Sequence, residues 1–436
     1  MVRRAIRSTR VTGMFTVRDP AFMPREITEC RICRNRQLTA LLSLGEQCLT
    51  GVFPKTPEEP ITRGPLELVK CDGDSSCGLV QLRHSYDSTE MYGAQYGYRS
   101  GLNQSMVEHL GAQVAKLTAR VPLDDRDLVL DIGSNDGTLL SFYPPGPTLV
   151  GMDPTADRFR AFYPPHIHAI AEFFSAAVFR EHFGERRAKI ISSLAMFYDL
   201  DDPMQFVAQV VEILDDEGVW HFEQSYLPSM LARNAYDTIC HEHVEYYGLR
   251  QIKWMLDRCG LKIIALDLNE VNGGSLGVTV AKMASRHRED TTAVSALLKS
   301  EIDQSLDTLE PYLAFKERVF RHRDNLLETL AELSRQGASV LGYGASTKGN
   351  VILQFCGITP AHLPFIAEVN PDKFGRFTPG THIPIISEVD AHAMNPDYLL
   401  VLPWHFRRNL LARESAYLRR GGKMIFPLPE IQVVGG

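Results

Sequence analysis

The chain has 436 residues, of which 44% are hydrophobic, 23% charged and 9% aromatic, and its formal net charge is −7. At about 100–200 residues per domain this length makes a multi-domain protein, and the ordinary composition excludes collagen-like, coiled-coil and wholly disordered classes. No apolar run approaches the roughly 18 residues that would cross a bilayer, so no membrane span is expected, and the negative charge argues against the global positive field of a nucleic-acid binder.

Residues 1–25 form a basic extension, with Arg3, Arg4, Arg7, Arg10 and Arg18 and no acid before Asp19. Its composition resembles a transit peptide, but it lacks a secretory apolar core. A frayed extension is expected, with Met14 and Met23 as alternative starts of the ordered protein, and a cytoplasmic location by default.

Residues 26–85 read as a small loop-rich module. Cys30-Arg-Ile-Cys33 is a CxxC knuckle, and Cys71 and Cys77 supply a second pair with a wider gap than usual. Four thiolates from two turns close a tetrahedral zinc shell; incidental reduced cysteines are the alternative. No basic–aromatic stripe accompanies the cysteines, so the expected zinc is structural rather than part of a nucleic-acid reader.

Residues 86–285 alternate short apolar runs with amphipathic helical patterns. Leu128–Ile132, Thr148–Met152, Lys189–Ser193 and Gly218–Glu223 read as buried parallel strands. The first runs into Gly133-Ser-Asn-Asp-Gly137, a small-residue turn at a helix start where backbone comes close to a ligand. A dinucleotide turn would read GxGxxG. Here Asp131 and Asp136 would repel a pyrophosphate but suit an ammonium, and Asp153, 22 residues after Asp131, is placed for ribose hydroxyls. These features predict S-adenosylmethionine. Glu172 and Phe173, with Phe174, are candidates to bind and cover the adenine, although the phenylalanines serve a core equally well.

Tyr236-Asp-Thr-Ile-Cys-His241-Glu242-His243-Val-Glu-Tyr-Tyr247 concentrates proton-transfer groups. It is a poor metal site, because side chains at i and i+2 do not share a helix face and the HExxH spacing is absent. A neutral imidazole near pH 7 suits proton abstraction, and a neighbouring carboxylate orients it or raises its basicity. A solvated polar turn is the bland alternative.

Residues 286–336 read as a helical connection with a break at Pro311. Residues 337–436 begin a second strand–glycine–helix unit, Gly342-Tyr343-Gly-Ala-Ser346-Thr-Lys348. It lacks a third glycine and the GxxxxGK spacing, so neither a nicotinamide site nor a P-loop is well matched. Backbone amides at this helix start, with Lys348, are candidates for a diphosphate, and Glu368 closes the next strand. The fold class is therefore α/β: a zinc-binding module, a central Rossmann-like domain with the predicted S-adenosylmethionine turn, and a second Rossmann-like domain.

In order, the chain carries the cysteine pairs, Tyr96-Gly-Tyr98-Arg-Ser-Gly, DIGSNDG, YDTICHEH, Asn272-Gly273-Gly-Ser-Leu, GYGASTKGN with Asn350, and Pro379-Gly-Thr-His382. Together they resemble the S-adenosylmethionine-dependent C-methyltransferases of nucleotide-linked deoxy sugars. That resemblance implies a methyltransferase domain for the central part and acceptor binding for the last, with methylation of carbon 3 of a thymidine-diphospho 4-keto sugar, by a monomer or small homo-oligomer. It implies His243 as base, Glu242 as its acidic neighbour and Tyr98 as an active-site tyrosine. Asn135 and Ser192 join the cofactor set; Tyr96, Asn272, Gly273, Tyr343, Ser346, Lys348, Asn350, Glu368 and His382 form the acceptor set. Two departures stand out: Cys240 replaces a family tyrosine, and Ser192-Ser-Leu-Ala-Met-Phe-Tyr198-Asp lacks a family histidine. A non-sugar or O-methyl acceptor, an NAD(P)-dependent oxidoreductase using the second sheet, and a zinc-ribbon adaptor are the alternatives.

Overall fold

The computed structural model describes residues 24–92 and 98–435, so nearly all of the basic extension, and Tyr96, lie outside the described residues. The N-terminal module is an antiparallel sheet of β1 (Leu38–Cys48), β2 (Arg63–Cys71) and β3 (Val80–Leu82). Helix α1 (Gln104–Arg120), capped by the Asn103 side chain on Ser105 N, leads into the central domain.

The central sheet comprises β4 (Leu128–Ile132), β5 (Thr148–Met152), β6 (Ile167–Ile170), β7 (Ala188–Leu194), β8 (Leu214–Ser225), β10 (Leu261–Asn269) and β11 (Ser275–Lys282). The short strand β9 (Glu245–Tyr246) leaves this domain and pairs with β3. Helices α2 (Ala176–Phe183), α3 (Pro203–Ile213) and α4 (Leu249–Arg258) cover the faces. The seven strands run in the order β10-β11-β8-β7-β4-β5-β6, with β4 to β8 parallel and β11 antiparallel to both its neighbours. Every residue of β4 is buried, which is why it reads as an unbroken apolar run around Asp131. The strand order reverses at β4, between β5 and β7, and there the fold opens a crevice at the carboxyl ends.

The helical stretch is α5 (Thr291–Asp303) and α6 (Glu310–Arg335). Pro311 lies in the first turn of α6, where its missing N–H costs nothing, so it starts a helix rather than kinking one. Tyr312, Phe315, Val319, His322, Leu326, Leu330 and Leu333 form the buried stripe of α6. The C-terminal sheet holds β12 (Val340–Tyr343), β13 (Ile366–Glu368), β14 (Ile385–Ser387), β15 (Tyr398–Val401), β16 (Lys423–Phe426) and β17 (Gln432–Gly435). Helix α7 (Thr347–Cys356) follows β12, and α8 (Arg407–Arg413) follows β15. The order is β14-β13-β12-β15-β16-β17, parallel except for the last pair, so β12 marks a second switch point. No helix among the described residues is long and apolar enough to cross a membrane.

Candidate active site

The four cysteines expected to bind metal converge. Cys30 and Cys77 sulfurs are 3.5 Å apart, Cys33 and Cys71 sulfurs 3.4 Å, and all four lie within 4.8 Å of one another. A tetrahedron with Zn–S bonds of about 2.3 Å has edges of about 3.8 Å, so the cluster fits zinc. Asn35 Nδ2 and Leu79 N point at the Cys71 and Cys77 sulfurs, the usual second layer around such thiolates. The wide gap has a simple cause: Cys71 ends β2, and the chain loops out before Cys77.

The first glycine-rich turn is held by its own acids. Gly133, Asn135 and Gly137 all have positive φ, and Asp153 Oδ2 accepts from Asn135 N at 2.9 Å. Its other oxygen accepts from Thr155 N and Oγ1. The side chains of Asn135 and Asp136 accept from Ser100 N and Gly101 N, so they carry the Tyr98–Gly101 segment. Asp131 is buried and accepts from Ser192 Oγ at 2.6 Å. Burial, with the Asp153 charge as a lesser contribution, raises its pKa to about 7. Such a carboxyl is stabilised as the anion by an incoming ammonium. Glu172 and Phe173 are exposed at the rim of this sheet, and Phe174 instead packs edge-on against Phe206.

A cavity of about 540 Å³ lies where the three parts of the chain meet, a size that suits a small ligand. Tyr98, Glu242, His243, Asn272, Tyr343, Ser346, Lys348 and Glu368 line it, which brings together seven candidates from four separate motifs and the acid that closes the next strand. His243 Nδ1 donates to the Thr238 carbonyl at 2.9 Å, which leaves Nε2 as the nitrogen with a lone pair. Burial first, then the Lys348 charge, lowers its pKa to about 3, against the opposing pull of the Thr238 carbonyl. The expected orienting role of Glu242 is taken by that carbonyl. The Glu242 carboxylate instead accepts from Thr50 Oγ1 at 3.2 Å, and burial raises its pKa.

Lys348 Nζ donates to the Asn272 carbonyl at 2.8 Å, so a lysine of the C-terminal domain is tied to the Asn-Gly-Gly turn of the central one. Burial lowers its pKa, while Asp237 pulls it back up. Gly273, at φ +95, lies under Trp404 rather than on the cavity wall. Asn350 is fully buried and donates to the Thr50 carbonyl, so it supports Glu242 at one remove. His382 is exposed on a turn away from the cavity.

Of the polar rings near the two departures, His241, Tyr198, Tyr246 and Tyr247, Tyr198 alone lines the cavity, its ring 4.1 Å from that of His243. His241 faces Tyr86, Tyr246 reaches back toward the Thr238 carbonyl, and Tyr247 stacks on Phe197 in the core. The cavity is also lined by Tyr92, His405 and Arg413, which stood in no motif, and by Asp199 and Lys373, to which no role was assigned. Tyr92 donates to Asp199 at 2.7 Å across 107 residues, a pairing with no local signal.

Residues 30–92 match a zinc binding domain of methyltransferases, residues 106–266 a methyltransferase domain, and residues 270–429 the C-methyltransferase C-terminal domain. The C-methyltransferase NovU of Streptomyces niveus is 31% identical over 415 residues, covering 94% of this chain and 97% of NovU. Among solved structures, the plantazolicin methyltransferase BpumL overlaps 40% of this chain and 83% of its own, with 12% identity and a TM-score of 0.33. An O-methyltransferase family protein from Burkholderia thailandensis overlaps 42% and 57%, with 16% identity and a TM-score of 0.32. The assignment does not depend on those two partial overlaps. The zinc-fitting thiols, the cofactor domain and the end-to-end match to NovU together place the chain in the S-adenosylmethionine-dependent sugar C-methyltransferase family.

Proposed function

We propose that this C-methyltransferase methylates carbon 3 of a nucleotide-linked 4-keto-deoxy sugar, with His243 as the base. The observation that carries the reading is the His243 imidazole: neutral, tautomerically fixed by the Thr238 carbonyl, and lining the cavity between the cofactor domain and the C-terminal domain. S-adenosylmethionine supplies an electrophilic methyl group. His243 Nε2 takes the proton from the carbon beside the ketone, and the C–H electron pair moves into an enolate. That pair then forms the new C–C bond to the methyl carbon as its bond to sulfur breaks, which releases S-adenosylhomocysteine, and the proton leaves from the imidazolium to solvent.

Two features support a diphosphate-bearing acceptor. Ser346 and Thr347, at the start of α7, line the cavity, where helix-start amides favour an anion, and Lys348 and Lys373 line it too. Tyr98, Tyr198 and Lys348 line the cavity with His243, and their O–H and N–H groups are the proposed donors to an enolate oxygen. A thymidine nucleotide is the expected carrier, by family resemblance.

The test is calorimetric titration with S-adenosylhomocysteine followed by thymidine diphosphate, together with a solvent-deuterium exchange assay on the keto sugar. Binding of both, and deuterium entering carbon 3 in the wild type but not in His243→Asn, are the expected results. Failure of the diphosphate to bind would send the acceptor search outside nucleotide sugars. Full exchange in His243→Asn would remove the base.

A further inference from the structure

The zinc module is joined to the loop of His243 by main-chain hydrogen bonds. Strand β9 pairs antiparallel with β3 in the register Glu245↔Gln81 and Tyr246↔Val80. Leu82 N donates to the Val244 carbonyl at 2.8 Å, and Val244 N donates to the Tyr198 carbonyl at 2.8 Å. Thus the residue next to His243 is gripped from both sides, once by the zinc module and once by the central domain. From α4, Gln251 Nε2 donates to the carbonyl of Cys77, itself one of the four clustered thiols.

Arg31 stands between Cys30 and Cys33, is 2% exposed, and donates to β3 and to the residues that follow it. Its amide and Nη1 donate to Gln81 Oε1, Nη1 donates to the Leu82 carbonyl at 2.6 Å, and Nη2 donates to Ser85 Oγ at 2.9 Å. Its Nε lies 3.9 Å from Asp201 Oδ1 and 4.0 Å from the buried Glu245 carboxyl. A guanidinium is costly to bury, and it is held here by a fork of hydrogen bonds that a metal-closed knuckle aims at β3. The module shares apolar cores with its neighbours, and beside them it meets the central domain through main-chain hydrogen bonds that begin at Val244, next to His243.

We propose that Arg31 is a positioning residue for methyl transfer: the zinc knuckle fixes its guanidinium against β3, and β3, through Val244 and β9, holds His243 in place. The inference deepens the assignment of His243 as base and rests on it. A base displaced by a fraction of an ångström loses much of its effect, because proton transfer needs hydrogen-bond reach.

The experiment compares Arg31→Met and Arg31→Lys with wild type in the full chain, reading zinc content, affinity for S-adenosylhomocysteine, kcat and KM, the acid limb of the rate profile, and amide exchange over residues 244–246. With zinc and cofactor affinity unchanged, Arg31→Met should lower kcat about 10- to 100-fold at nearly constant KM. It should speed amide exchange over 244–246 and move the acid limb upward, because a loosened imidazole regains water while Lys348 and the Thr238 carbonyl still face it. Arg31→Lys should recover part of the loss. Unchanged kcat and acid limb in Arg31→Met would overturn the proposal. If Arg31→Met loses its zinc, Glu245→Gln reads the same link from β9: an upward-shifted acid limb supports it, and wild-type behaviour overturns it. His243→Asn, run in parallel, separates the two claims. An active His243→Asn sinks the base and this inference together, whereas an inactive one beside a fully active Arg31→Met sinks this inference alone.

Discussion

The two glycine-rich turns occupy the same point of two parallel sheets and share one device. In each, the acid that closes the neighbouring strand reaches back to a main-chain N–H of the turn: Asp153 to Asn135 at 2.9 Å, and Glu368 to Ala345 at 2.8 Å. In each, a glycine at positive φ is pressed on a neighbour, so that a Cβ on Gly137 would stand 2.8 Å from the Tyr163 ring and one on Gly344 2.6 Å from Pro403. They differ in charge. Asp131 and Asp136 flank the first turn, whereas Lys348 and Lys373 serve the second, with Lys373 Nζ on the Ala345 carbonyl at 2.8 Å. The doubly wound sheet supplies a crevice, and the side chains at its rim decide which charge enters it.

The sharpest separation of the two crevices comes from the residue that stands between them. His243→Asn should lower methyl transfer by about 10²- to 10⁴-fold, the usual worth of a general base, while both ligands still bind in calorimetry. Loss of either affinity would mean that His243 belongs to one crevice rather than to the chemistry. Next in size is a crossed pair of charge reversals. Asp153→Lys should weaken S-adenosylhomocysteine by about 100-fold and leave thymidine diphosphate within a few-fold, and Glu368→Lys should do the reverse by freeing the Ala345 turn. Matching losses in both variants would erase the division of labour.

A pH titration probes the acidic turn alone. Because the folded pKa of Asp131 is raised from 3.8 to about 7, the unfolded chain releases this proton first, and the unliganded fold loses stability as pH rises through that window. An ammonium ligand favours the anion. Affinity for S-adenosylhomocysteine should therefore fall roughly tenfold per pH unit below about 7 and level off above it. Asp131→Asn should flatten the curve and stabilise the unliganded protein at neutral pH. The smallest effects belong to the glycines. Gly137→Ala and Gly344→Ala should each cost about 1–3 kcal/mol through positive φ and the clash, with Gly137→Ala reducing cofactor affinity and Gly344→Ala diphosphate affinity in matched titrations.

Patterns confined to a few neighbouring residues were legible. Strand β4 and its turn appear in the sequence because a fully buried parallel strand must be apolar throughout and a ligand-facing turn needs glycine at positive φ. The second unit is legible for the same reason, and so are the cysteine pairs. Strand β9 was not, because two residues have no period; its conformation comes from β3, more than 160 residues earlier in the chain. Thr50, which supports Glu242, and Asp199, which meets Tyr92, were equally silent, since each acts through one long-range hydrogen bond.

The sequence by itself therefore determined the three-part α/β plan, the metal ligands, the charge of each glycine turn and the residues able to exchange protons, since these depend on residue type and short spacing. Only the tertiary structure decided which of those residues meet. Of the acceptor candidates it drew Asn272 and Lys348 into one cavity with His243 and left His382 outside. It turned His243 by a backbone carbonyl rather than by Glu242, and it tied the cysteine knuckle to the His243 loop through Arg31 and β3. Such choices follow from how two sheets and a metal module dock, and docking is set by buried surface and hydrogen-bond satisfaction across the whole chain.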